Sequence, residues 1–319
     1  MSSKTVFITG ASGFIGSAVM KLAIALGYKV RGLSRSETSD DKIKSLGGIP
    51  VRGDLYTLDV LAREASNADI VIQLGDVFIG SNFSMPYDKA TEVQNTSVDA
   101  MAGAMEETNK PLVIASSALI TRPDPDGGET TEEDPDDTAS PIDRGPLSRH
   151  ALAWSKRGVR VIAIRLAPLV YGHGGSGLTL LLQMAATSGA ALTIDGGALK
   201  TSVVHVDDVA RLFLLAAEKS PAGEAYNGIA DNTISFADLA TEASVLLDVP
   251  VQNTTFDQAA VQLGPAFANI LTSPCRGSNV KARKVLGWEV KEAGVYEDLR
   301  TGSYAAVASR LKKSKLSRS

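Results

Sequence analysis

Residues 9–16 read Thr-Gly-Ala-Ser-Gly-Phe-Ile-Gly, and this stretch limits what the chain can fold into more than any other. Before it, residues 5–9 form an apolar run rich in β-branched side chains, the pattern of a buried strand. After it, Phe14, Ile15, Val19, Leu22, Ala23 and Leu26 recur at helical spacing. Strand, glycine bend and helix in that order set a helix N-terminus where a pair of phosphates can sit. Each glycine then serves a purpose of its own. Gly10 allows a tight turn, Gly13 close approach of backbone to a pyrophosphate, and Gly16 close packing of helix on strand. An ordinary turn would account for three glycines, but not for their place between a strand and an amphipathic helix. The expectation is a dinucleotide held by Gly10, Ser12, Gly13, Phe14, Ile15 and Gly16.

The remaining composition removes other classes. A formal net charge of −4 leaves no footprint for nucleic acid. No apolar run is long enough to cross a bilayer, so no membrane partner is expected. The single cysteine, Cys275, allows no internal disulfide and fits a reducing compartment. With a polar N-terminus that runs straight into the first strand, it predicts a cytoplasmic protein without a signal peptide. The three histidines are scattered along the chain, which predicts no metal site. The basic stretch at 310–319 reads as a solvated tail.

The second strand, residues 29–34, ends in Ser34 and Arg35. A carboxylate at this place would accept hydrogen bonds from both ribose hydroxyls and repel a 2′-phosphate. A hydroxyl and a guanidinium suit that phosphate instead, so NADP is the expected cofactor. Arg31 and Arg35 also read as plain solvated charges. Residues 49–55 end a third strand in Asp54-Leu55. Asp54 can accept from the adenine amino group while Leu55 packs on the ring, and Asp54 can equally cap the next helix. A fourth strand at 68–74 is followed by Gly75 and Asp76, a helix at 90–109 carries Asn95, and a fifth strand at 111–117 ends in Ala115, Ser116 and Ser117.

Residues 121–144 hold eight carboxylates between Asp124 and Asp137. They read either as a flap over the carboxyl edge of the sheet or as a disordered acidic insertion. A short helix at 147–156, a sixth strand at 160–166, Pro168 and a glycine-rich loop from Tyr171 follow. Asp207 or Asp208 reads as the cap of a helix through Ala217. The alternation to about residue 170 predicts an α/β fold with a doubly wound parallel sheet over residues 1–170. Residues 171–319 are expected to form a smaller α/β substrate lobe, with a late sheet strand near 201–206.

Together these segments resemble the extended short-chain dehydrogenase/reductase family, close to its atypical members. Besides residues 9–16, the likeness rests on Gly53-Asp54-Leu55, Val71-Ile72-Gln73-Leu74, Asn95 and Ala115-Ser116-Ser117. It continues through residues 165–172, residues 204–210 and Lys284-Val285-Leu286-Gly287-Trp288, in order and at similar spacing. The resemblance implies hydride transfer at a nicotinamide ring. It adds Leu74, Gly75, Asn95, Ala115, Arg144, Pro168 and Val170 to the cofactor site, and it implies a homodimer. It also implies a tyrosine acid with a lysine four residues on. None of the seven tyrosines has one. The family's tyrosine falls near Ser140 and its lysine near Arg144. Arg144 can hold ribose hydroxyls but cannot shuttle protons.

Ser116 matches the family serine that orients a carbonyl, and it also reads as a polar strand end. Asp76 reads as a replacement acid or as a helix cap. Tyr87 offers a phenol of unknown reach. His173 reads as a polar loop residue, and His205 as a maker of structural hydrogen bonds. Three functions remain open: an NADP-dependent reductase of a small carbonyl or imine, a redox-neutral isomerase, dehydratase or cyclase, and a non-enzymatic NADP sensor.

Overall fold

The computed structural model describes residues 3–81, 83–138 and 144–316. In its first half strands and helices alternate. They are β1 (Thr5–Thr9), α1 (Phe14–Ala25), β2 (Lys29–Ser34), α2 (Glu37–Ser45), β3 (Ile49–Arg52), α3 (Leu58–Asn67) and β4 (Ile70–Gln73), then the single turn α4 (Val77–Gly80), α5 (Tyr87–Gly103), β5 (Pro111–Ser117), α6 (Gly145–Ala153) and β6 (Arg160–Leu166). The second half runs β7 (Leu169–Tyr171), α7 (Ser176–Ser188), β8 (Ala191–Ile194), β9 (Lys200–His205), α8 (Val206–Lys219), β10 (Glu224–Gly228), β11 (Asp231–Ser235), α9 (Phe236–Leu247) and β12 (Val251–Thr254). It closes with α10 (Phe256–Leu263), α11 (Pro265–Thr272), α12 (Val295–Arg300) and α13 (Ser303–Leu316).

Seven parallel strands form the large sheet in the order β10-β6-β5-β4-β1-β2-β3. Both faces are covered, which is why the central strands read as continuous apolar runs. Alternate side chains of β1 divide between two cores. Val6 and Ile8 pack with Val19 and Met20 of α1 and Phe213 of α8. Phe7 packs on the other face with Leu61 of α3 and Met101 of α5. Between β1 and β4 the strand order reverses, and open sheets of this kind bind ligands in the crevice beyond that point.

The strand expected near residues 201–206 forms as β9, but not in the large sheet. It pairs with β7 and β11 in a three-stranded sheet. The strand that returns to the large sheet is β10, parallel to β6. Helix α8 explains the path. It buries Val209, Leu212, Phe213 and Ala216 in the same core as α1 and so delivers the chain to the β6 edge. The dinucleotide-type unit therefore takes α8 and β10 from beyond residue 171. A separate core, with Leu178, Leu182, Leu239, Leu299 and Tyr304, holds the C-terminal lobe together.

The acidic stretch is neither a flap over the crevice nor a loose insertion across its described part. Residues 121–138 dock along the β10 edge. Thr130 donates its amide to Arg276 O at 2.9 Å, and Ser278 returns the bond to Thr130 O at 2.7 Å. The Asn227 amide donates to Glu132 Oε1 at 2.6 Å. Lys281 pairs with Glu133 at 3.0 Å. Main-chain pairing with residues 276–278 satisfies a backbone that composition alone would leave in water. Ser140 lies outside the described residues.

Candidate active site

Gly10 has φ +69°, and a Cβ there would stand 2.9 Å from the Leu74 carbonyl and the Gly75 amide. A Cβ on Gly16 would lie 2.1 Å from Gly10 O. The bend is thus wedged between the end of β4 and the first turn of α1. Thr9 Oγ1 fixes it there, accepting from the amides of Leu74 at 3.2 Å and Gly75 at 3.0 Å. Helix α1 starts at Gly13 with no side-chain cap. Its first amides are left for a ligand, with the positive end of the helix dipole behind them.

These residues line a cavity of about 860 Å³ that runs from Arg35, beyond the end of β2, past the glycine bend and into the C-terminal lobe. Of the expected cofactor residues, all but Ser34 and Asn95 are on its wall. Ser34 is buried and donates to Ser36 O at 3.1 Å. Asn95 is one position out of phase. The helix turns about 100° per residue, so Gln94 rather than Asn95 faces the sheet. Gln94 and Gln73 both donate to Gly75 O, at 3.1 and 2.8 Å, and both line the cavity. Sequence reading missed this pair, although Gln73 sits inside the strand motif it had marked.

At the adenosine end Arg35 is exposed and, among the described residues, has no hydrogen-bond or ion-pair partner. Arg31 is not available to a ligand, because it pairs with Glu64 at 2.5 Å. Ser39 of α2 lines the cavity, and one turn below it Lys42 donates to Ser12 O at 2.7 Å. Spacing of three along α2 was the signal that could have found Lys42. Asp54 Oδ1 accepts from the amides of Tyr56 at 2.9 Å and Thr57 at 3.1 Å, so it caps its turn while also lining the cavity.

Of the catalytic candidates, Ser116 fits best. Its Oγ is buried at the end of β5, lines the cavity and has no hydrogen-bond partner among the described residues. A buried hydroxyl in that state costs stability unless a ligand engages it. Asp76 and Arg144 are both on the wall and mostly buried, and they pair with each other at 2.6 Å. Asp76 Oδ1 also accepts from the Ile79 amide at 3.0 Å, capping α4. Both carboxylate oxygens therefore accept hydrogen bonds, which is the bonding of a cap and ion-pair partner rather than of a proton donor. Tyr87 stands off the wall with its ring edge-on to Phe78, centroids 5.1 Å apart.

The histidines are less scattered than the sequence suggested. His173 Nε2 lies 2.8 Å from Asp207 Oδ2, and the His173 and His205 rings sit 5.4 Å apart. The ligand atoms of the three fall within 4.8 Å of one another, a spacing that could hold an ion. However, His205 Nδ1 already accepts the Asp207 amide at 3.2 Å. The cap of α8 is thus His205, not Asp207 or Asp208. Tyr171 is buried, donates to Ala293 O at 2.7 Å, and burial pushes its phenol pKa up. Trp288 Nε1 donates to Asp208 O at 2.8 Å, which ties the C-terminal Gly-Trp motif to α8.

The far end of the cavity belongs to the C-terminal lobe, with Leu181, Phe236, Phe267, Ile270 and Leu271 on its wall. The loop from Gly172 closes over Phe14, since a Cβ on Gly175 would stand 2.7 Å from the phenyl ring. Tyr304 pins that loop by accepting the Gly172 amide at 2.8 Å and donating to Gly175 O at 2.7 Å.

A nicotinamide dinucleotide fits this set of residues: a bend that side chains would fill, an uncapped helix, and an orphaned buried hydroxyl where the reacting end would lie. Comparison with known proteins agrees. An uncharacterized protein of Saccharomyces cerevisiae is 34% identical over 92% of this chain and 97% of its own length. The 4-hydroxy-2-methyl-3-oxo-4-farnesyl-3,4-dihydroquinoline-1-oxide ketoreductase of Stigmatella aurantiaca is 25% identical over 89% of this chain and 87% of its own. Among solved structures, the dTDP-glucose 4,6-dehydratase of Bacillus anthracis in complex with NAD shares the fold, with TM-score 0.75, 17% identity and 98% of each chain covered. Residues 6–228 match the model of the NAD dependent epimerase/dehydratase family, and the chain belongs to that family.

Proposed function

We propose that this chain is an NADP-dependent oxidoreductase that reduces the carbonyl or imine of a small organic molecule. The observation that carries the reading is Ser116 Oγ, buried without a partner among the described residues in the same cavity as the uncapped glycine bend. When bound, the nicotinamide supplies the hydride. Ser116 donates to the substrate oxygen and holds the carbonyl in place, a contact that strengthens as negative charge develops there. A serine hydroxyl is too weak an acid to give up its proton, so the reduced oxygen takes one from water. The Asp76–Arg144 pair fixes the wall beside it.

The choice of NADP rests on the adenosine end. Arg35 is a cation without a protein partner among the described residues, and Ser39 of α2 shares the cavity wall with it. A 2′-phosphate would meet the Arg35 guanidinium and the Ser39 hydroxyl there. The ketoreductase named above, a relative over most of its length, also supports reduction.

The absence of Tyr-x-x-x-Lys favours one rival, a redox-neutral reaction on the same site. The two separate in a single assay. Incubation with NADPH and a panel of carbonyl compounds should consume NADPH in step with substrate. Conversion of substrate without loss of NADPH absorbance would overturn the reductase reading.

A further inference from the structure

The described wall of the cavity carries four charged side chains: Arg35, Asp54, Asp76 and Arg144. Arg35 and Asp54 follow the ends of β2 and β3, at the adenosine end. Asp76 and Arg144 neutralise each other at 2.6 Å. No unpaired charge is left on the described wall beyond Ser116.

The polar side chains there hold nearby backbone partners. Ser273 Oγ donates to Asn269 O at 2.7 Å, and Asn269 Nδ2 donates to Pro265 O at 2.8 Å. Ser176 Oγ donates to Val170 O, and Ser117 Oγ accepts the Leu119 amide at 3.2 Å. Each has at least one backbone partner close by in the chain. The remaining described surface is aliphatic and aromatic and includes Leu181, Phe236, Phe267, Ile270 and Leu271.

We infer that the substrate is an uncharged, apolar carbonyl compound, and that the site rejects nucleotide-linked sugars. This rests on the reading of the cavity as a nicotinamide-dependent site. A diphosphate placed in this half would lose its hydration and find no unpaired cation among the described residues of the wall, a cost far above what one sugar ring returns. An alkyl or aryl chain would gain from every methylene it buries.

The test uses the intact chain loaded with NADP or NADPH. Straight-chain aldehydes from butanal to decanal are compared with UDP-glucose, both in turnover and in equilibrium binding by calorimetry. Binding should tighten about fourfold per added methylene until the cavity is full, and UDP-glucose should not compete. Phe267→Asp should weaken decanal binding about tenfold or more and leave NADPH affinity unchanged, which also reports that the variant is folded. Aldehyde binding that tightens with length, without turnover, would support the substrate class while removing the reductase reading. Tighter binding or faster turnover of UDP-glucose than of decanal would overturn the inference, whether or not NADPH is consumed. Aldehyde affinity that does not change with length, or no aldehyde binding to NADP-loaded protein, would overturn it as well.

Discussion

Replacing Gly16 by alanine tests the geometry on which the cofactor site depends. In an ordinary helix position the change would help, because alanine is favoured over glycine by about 1 kcal/mol. Here the new Cβ would meet Gly10 O at 2.1 Å and Ala11 Cα at 2.9 Å, where ordinary contact begins at 3.4 Å. Both are backbone atoms, so no side chain can swing away. Either α1 lifts off the sheet or the bend moves by about 1 Å, and overpacking of this sort costs about 1–3 kcal/mol. Gly103→Ala is the matched control. It lies in the last turn of α5, and its Cβ would touch only the Trp154 ring, at 3.6 Å. The control should gain up to about 1 kcal/mol in urea unfolding, and Gly16→Ala should fall below it by about 1–3 kcal/mol. A moved bend also misplaces its amide donors. Hydrogen bonds to a charged acceptor are worth about 1.5–3 kcal/mol each, so NADPH should bind at least about tenfold more weakly by fluorescence titration. If Gly16→Ala matches Gly103→Ala in stability and binds NADPH like the parent, the bend is not a phosphate cradle.

Three further outcomes are expected. Arg35→Ala should weaken NADPH binding about ten- to a hundredfold, the loss of charged hydrogen bonds to a phosphate, and leave NADH affinity within about twofold; equal losses for both would remove the 2′-phosphate from this site. Ser116→Ala should lower kcat by about 10²–10³ with the dissociation constant of NADPH unchanged, and retention of full turnover would strip Ser116 of its role. Burial pushes the pKa of Glu132 up, against the Asn227 amide and the charges of Lys281 and Arg165. The folded chain then holds the Glu132 proton more tightly than the unfolded chain does, so stability falls as pH rises from about 4.3, the ordinary glutamate value, through the folded value. Glu132→Gln keeps an acceptor for Asn227 and cannot ionise. Its unfolding free energy relative to the parent should therefore rise between about pH 4 and pH 7, and a difference that is flat or falls with pH would contradict the burial argument.

What the sequence makes legible is what neighbouring residues decide among themselves. The bend at Gly10, Gly13 and Gly16, the strand before it and the helix after it are local events, and the structure forms them with the division of Val6 and Ile8 from Phe7 that alternation demands. The Ser235 cap of α9 is local too, and it forms a full capping box with Asp238. Phase along a helix is harder. Motif likeness marks Asn95, yet the sheet selects Gln94, because the rotation of α5 is set by the packing of Ala90, Val98 and Met101. Partners far apart in the chain are harder still. Nothing near Asp76 announces Arg144, and nothing near Glu132 announces the amide of Asn227 that lets a carboxylate leave water. The late strand forms where it was expected, but its sheet partners are set at a distance too. Both β9 and β10 read as strands, and only the burial of α8 against α1 decides which of them reaches the large sheet.

The two ends of the cavity are joined by one further distant partnership. Tyr304 and Ser303 begin the last helix, yet they hold the loop that follows β7. Tyr304 bonds Gly172 and Gly175, and Ser303 Oγ accepts the Gly174 amide at 2.7 Å. That loop in turn lies on the Phe14 ring, in the first turn of the cofactor helix. Ser303 is itself braced by Asp298, whose Oδ1 accepts the Ser303 amide at 2.6 Å. Position therefore passes from the C-terminal lobe through a glycine loop to the helix that would hold the diphosphate. A glycine-rich loop alone would be too free to set the distance between cofactor and substrate walls. Anchored by a buried phenol at both of its carbonyl and amide ends, it becomes a spacer of fixed length. In this chain the loop against the first turn of α1 is thus held by residues 298–304, far in sequence from the bend at residues 10–16.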